Sequence, residues 1–83
     1  MTVNLSTLNS GDVVKGQYDT LFGGCELILV MLDDTNDVGG RRSTIIHVDG
    51  NAPMYLIGRD FWIQPWDRIE LLCPNDKHAF ISN

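Results

Sequence analysis

The apolar positions of this chain gather in short runs, and the longest is Leu27-Ile28-Leu29-Val30-Met31-Leu32, closed by Asp33 and Asp34. These residues do not alternate with polar ones, so a strand built from them is expected to be covered on both faces. The run ends the stretch GDVVKGQYDTLFGGCELILVMLDD (Gly11 to Asp34), in which two apolar segments are broken by Gly23-Gly24. A domain this small rarely hides both faces of a strand alone. The pattern therefore asks for a sheet that closes into a barrel, or for a partner subunit over one side.

Taken in order, Met1 to Ser10 is polar and weakly patterned, a short strand or a frayed helical turn with Leu5 and Leu8 as its anchors. Val13 to Thr20 is β-rich, and Gly16 within it suggests a bend or bulge. Leu21-Phe22-Gly23-Gly24 reads as a tight connection into a central strand over Cys25 to Asp33. Asp34 to Gly40 is a turn, and Arg41 to Asp49, with Thr44, Ile45, Ile46 and Val48, is a third strand. Gly50 to Pro53 turns again. Met54 to Ile57 and Phe61 to Ile63 are strand-like around Gly58-Arg59-Asp60, and Pro65-Trp66-Asp67 is a further turn. Arg68 to Cys73 and Ala79 to Ser82 are the last short strands.

No long segment carries a helical period. A strand followed by a glycine or proline turn recurs about every ten to fifteen residues, the signature of an antiparallel meander that closes as a small barrel. The expected fold is all-β, with residues 1–83 as a single domain.

Composition narrows the functions. Eleven acidic residues against six basic ones give a net charge of −5. That excludes a general nucleic-acid coat, which needs clustered Lys and Arg, but leaves room for a local basic spot. MTVNLSTLNS lacks the basic start and apolar core of a secretory leader. No apolar run approaches the ~18–20 residues that span a bilayer. The expectation is a cytoplasmic protein with no membrane partner, and Cys25 and Cys73 do not suggest a disulfide framework.

No nucleophile elbow, phosphate-binding glycine loop or HExxH motif is present, so no enzymatic activity and no cofactor are expected. His47 and Asp49 share a strand face, but paired zinc-ligand spacing is missing and no metal site is expected. The informative residues are arginines. Arg41 and Arg42 leave a glycine turn, and Arg59-Asp60 precedes Phe61 and Trp62. Guanidinium charge for phosphate and flat rings for bases are what single-stranded nucleic acid requires. The same arginines could instead pair with the many aspartates, and Trp62 and Trp66 could be core or interface anchors.

The stretch GDVVKGQYDTLFGGCELIL resembles the first motif of the Sm/LSm proteins, which include bacterial Hfq, with Gly11, Gly16, Cys25, Leu27 and Leu29 on matching spacing. Two stretches resemble the second motif. Val48-Asp49-Gly50-Asn51 has the spacing but an Asp in place of Arg, and Ile57-Gly58-Arg59-Asp60 inverts Arg and Gly and lies late. The resemblance covers about half the chain. It implies a strongly bent, five-stranded antiparallel barrel that assembles edge to edge into a homo-oligomeric ring, with RNA or single-stranded DNA near the pore. Residues 79–82 would be extra C-terminal strand material. Phe22, Gly24 and Glu26 depart from the family pattern, and an ionised Glu has no donor, so the family's uridine pocket is not carried over intact.

Within that frame Arg41, Arg42 and Arg59 are the expected phosphate contacts, Trp62 a stacking surface, and Asp60 part of the turn that shapes the site. WIQPWDRIEL (Trp62 to Leu71) also looks like the late strands of an OB-fold, another small barrel that binds single strands. The alternative function is an acidic protein–protein interaction or inhibitor module that engages a basic partner.

Overall fold

In the computed structural model, which describes residues 5–21 and 23–75, the β-rich runs form one antiparallel sheet. Strand β1 (Val13–Thr20) turns tightly into β2 (Gly23–Thr35), which is followed by β3 (Arg41–Gly50), β4 (Asp60–Ile63) and β5 (Ile69–Cys73). Consecutive strands β1 to β4 pair as a meander. The last strand returns to the first, giving the order β4-β3-β2-β1-β5. The chain is all-β, and the sheet bends into a small barrel-like form, as the turn spacing predicts.

The long β2 settles how the apolar run is used. Leu27, Leu29 and Met31 are buried, whereas Ile28, Val30 and Leu32 are half-buried on the other side. Within one chain the strand is thus fully covered on its inner face and partly on its outer face, the side for which the pattern asks for a partner subunit. Register gives the reason for the half-burial. Ile28 lies between Lys15 and His47, and Val30 between Val13 and Thr44, so neighbouring side chains shield the outer apolar row in part.

The inner face carries Val14, Leu27, Leu29, Met31, Ile45, Val48, Ile63 and Ile69, and the ring of Tyr18 packs against them. Leu5 and Leu8, at and just beyond a 3-10 turn over Leu5–Thr7, join the same core. Those two leucines are the anchors that the sequence offered. Fully burying a side chain such as Leu29 contributes roughly 2 kcal/mol by area alone.

Two local features differ from the sequence reading. Gly16 lies in unbroken β1–β2 register opposite Leu27, so it marks no bulge there. Instead the ring of Tyr18, two residues on and on the same face, lies against it, and any Cβ at this position would meet that ring. Met54–Leu56 is a 3-10 turn rather than a strand. Pro53 opens this segment, and Gly58 adopts φ +90 to bring the chain back onto β3. The expected strand over Ala79 to Ser82 lies outside the described residues.

Candidate nucleic-acid interface

Five residues were expected to form one site: Arg41, Arg42, Arg59, Asp60 and Trp62. The fold separates them into three places. Arg41 and Arg42 are neighbours on β3 and so project to opposite faces of the sheet.

Arg41 points inward and is only 8% exposed. Its guanidinium donates to the Leu5 carbonyl at 3.0 Å, the Leu8 carbonyl at 2.8 Å, and the Leu32 carbonyl at 2.7 and 3.2 Å. The β2–β3 ladder is irregular between Met31 and Thr35, which leaves the Leu32 carbonyl for this side chain. Arg41 therefore ties the N-terminal turn to the sheet. Four of its five N–H donors are thus spent on backbone carbonyls.

Arg42 points outward, opposite Trp62 on β4. Its guanidinium bonds to Asp60 and, at 2.6 Å, to Asp34. The hydrogen bonds that it donates to Asp60 and then to Asp34 push its pKa further above the usual range. Asp60 faces outward opposite Thr44, beside Trp62. Arg42, Asp60 and Trp62 are thus brought together, but with the cation neutralised by two carboxylates. Trp62 is 40% exposed, and its ring belongs to the outer face rather than the core.

Arg59 lies elsewhere, at the end of the β3–β4 connection. The 3-10 turn is closed by bonds from Leu56 N to the Pro53 carbonyl and from Ile57 N to the Met54 carbonyl. The chain then rejoins β3 through Gly58 N to the Ile45 carbonyl at 2.7 Å and Ile45 N to the Arg59 carbonyl at 2.9 Å. The Arg59 side chain folds back over Tyr55, with Cζ 5.7 Å from the ring centroid and Nε donating to the Tyr55 carbonyl at 3.4 Å.

Sequence reasoning missed Tyr55 and Arg68. Tyr55 was absorbed into a strand that does not form, and the signal that could have found it is the Pro53 and Gly58 bracket. Arg68 lines a concavity of about 570 Å³ with Gln17, Tyr18, Asp19, Cys25, Glu26 and Asp49. That hollow is acidic on balance, although Arg68 makes no ion pair among the described residues. Lys15, the remaining described cation, sits between Glu26 at 3.5 Å and Glu70 at 3.6 Å.

A third exposed aromatic, Trp66, stands where two turns meet. Asn36 accepts from Gly40 N at 2.7 Å and Val38 N at 3.1 Å, and its side chain donates to Gln64 at 3.5 Å. Gln64 N in turn donates to Asp67 Oδ2 at 2.9 Å. These bonds hold the β2–β3 and β4–β5 turns side by side and leave Val38 and Trp66 exposed. Neither Trp62 nor Trp66 is a core anchor.

Among the described residues, no group of three or more His, Cys, Asp or Glu side chains could hold a metal ion. No helix among them is long and apolar enough to cross a membrane. Both cysteines are free, Cys25 buried and Cys73 exposed. Compared with family models, curated proteins and solved structures, the chain matches none.

Proposed function

We propose that this protein is a divergent Sm-like subunit that assembles edge to edge into a ring and binds RNA or single-stranded DNA in nucleic-acid processing. The strand order carries this reading. Because β5 returns to β1 instead of closing on β4, the sheet keeps two short open edges, β4 and β5. Unpaired edge strands are templates for another chain. A bent sheet with two unlike edges can pair head to tail with further copies, and such heterologous contacts close into rings when the rotation permits. The nucleic-acid part is supported by Arg59 and by Trp62, which the fold leaves exposed.

Mass in solution and ligand binding test the two parts separately. Light scattering should give a multiple of the 9.3 kDa subunit. A strict monomer overturns the ring and favours the OB-fold-like alternative. Filter binding with oligo-U, oligo-A and single-stranded DNA should show retention at low salt that falls steeply as salt rises.

A second reading has its own observation. Asp19, Glu26 and Asp49 line the concavity at the β1–β2 end of the sheet, and the whole chain is acidic. A protein–protein module that engages a basic partner through this face would bind no oligonucleotide at low salt.

A further inference from the structure

The five described cations differ sharply in what surrounds them. Lys15 has two glutamates, Arg42 two aspartates, and Arg41 three backbone carbonyls. Arg68 opens onto a hollow with three carboxylates. Arg59 alone among them is set against an aromatic ring, and it makes no ion pair with any described residue. The neighbouring carboxylate, Asp60, is turned to the outer face and held by Arg42.

We propose that Tyr55 and Arg59, on the β3–β4 connection, form the contact point for single-stranded nucleic acid: an unpaired base stacks on Tyr55 while the Arg59 guanidinium takes the adjoining phosphate. This rests on the nucleic-acid reading above and moves the site away from Arg41 and Arg42.

The geometry supports each half. Tyr55 is 69% exposed, as is the adjacent Met54, so the ring offers an open apolar surface. Arg59 spends its Nε on the Tyr55 carbonyl, and no described residue takes the two terminal nitrogens. Those nitrogens form the planar fork that fits a phosphate in bidentate fashion. The 3-10 turn and the two bonds to Ile45 fix the backbone on both sides of the pair, so little ordering is needed on binding. Stacking on an aromatic ring tolerates any base, so low sequence selectivity follows.

The test uses fluorescein-labelled oligo-U and oligo-A in anisotropy titrations across a salt series, with thermal melts confirming that each variant is folded. Tyr55→Ala should weaken binding about tenfold with the salt slope unchanged, and Tyr55→Phe should restore it. Arg59→Gln should weaken binding and lower the salt slope by about 0.7, one phosphate on a single strand. Trp66→Ala should change neither. If wild type binds but the Tyr55 and Arg59 variants match it, or if the loss follows Trp66→Ala and Arg68→Gln instead, this site is overturned while nucleic-acid binding stands. If wild type binds no oligonucleotide at low salt, both fall. Photocrosslinking of a 4-thiouridine oligonucleotide gives an independent reading, with the adduct expected on Met54–Arg59.

Discussion

The Tyr18 hydroxyl donates to Asp67 Oδ2 at 3.2 Å, joining strand β1 to the β4–β5 turn across 49 positions of sequence. The same ring stands edge-on to Phe61 of β4, with centroids 5.0 Å apart. One side chain thus connects the sheet's first strand with β4 and with the turn that follows it. Burial, then the charge of Asp67, then the hydrogen bond to it, raise the Tyr18 pKa well above the ordinary tyrosine value.

Tyr18→Phe should therefore cost about 1 kcal/mol in urea unfolding near neutral pH, the worth of one part-buried hydrogen bond. It should also change the alkaline limb. A phenol whose folded pKa is raised contributes stability that is complete below its unfolded pKa of about 10 and is lost as pH climbs from there toward the folded value. Wild type should lose stability faster than Tyr18→Phe above about pH 10. The buried Cys25 thiol, also raised by burial, contributes a loss common to both proteins. Parallel curves for the two would discount the bond to Asp67.

Arg41→Ala should be among the most damaging substitutions, because it strips charge-assisted donors from the Leu5, Leu8 and Leu32 carbonyls. A loss of about 3 kcal/mol is expected. Arg41→Lys should recover only part of it, since an ammonium cannot reproduce a planar fork spanning carbonyls on both sides. Urea midpoints decide this, and oligonucleotide affinity per folded molecule should be unchanged.

Gly16→Ala should destabilise by about 1–3 kcal/mol, the usual cost of overpacking, because the new methyl group meets the Tyr18 ring. Pairing it with Tyr18→Ala makes a double-mutant cycle. The cost of the alanine at position 16 should largely disappear once the ring is gone.

Asp34→Asn with Asp60→Asn should do the opposite to ligand binding. Both carboxylates are engaged by Arg42, and removing their charge beside Trp62 frees a guanidinium on the outer face. Oligonucleotide affinity should rise, and its salt slope should steepen by about 0.7. An unchanged slope would place the outer face away from any bound strand.

Asp12 is buried and accepts from Asn9 N at 2.8 Å and Asn75 N at 2.6 Å, fastening the chain after β5 to the turn before β1. Asp12→Ala should speed hydrogen exchange at the Asn75 amide and cost about 2 kcal/mol, since two part-buried donors lose a charged acceptor.

Much of the fold was legible because local pattern and tertiary role agree. The β-branched run Thr44-Ile45-Ile46 and the turn at Gly39-Gly40 appear where the sequence puts a strand and a turn, whereas Gly23 and Gly24, read as a turn, are already paired with β1 as the start of β2. The apolar row of β2 was harder to read, because within the chain Ile28 and Val30 owe their partial cover to neighbours in register. The candidate site was less legible. Arginine is marked alike in sequence whether it is buried against carbonyls, like Arg41, or laid over a ring, like Arg59. What separates the two is the inward place of Arg41 on β3 beside the ladder break near Leu32, and the place of Arg59 in the β3–β4 connection.

The return of β5 to β1 also governs how the molecule can come into being. Every earlier pairing joins neighbours in sequence, so a chain growing from its N-terminus can lay down β1 to β4 hairpin by hairpin. The sheet is completed only when Ile69–Cys73 reaches back to Val13–Gly16, closing a loop of more than fifty residues. Such a non-local closure comes late and is slow relative to the hairpins. Until it happens, β1 is a bare edge beside the half-finished core, the stage at which the newborn chain is most exposed to wrong partners.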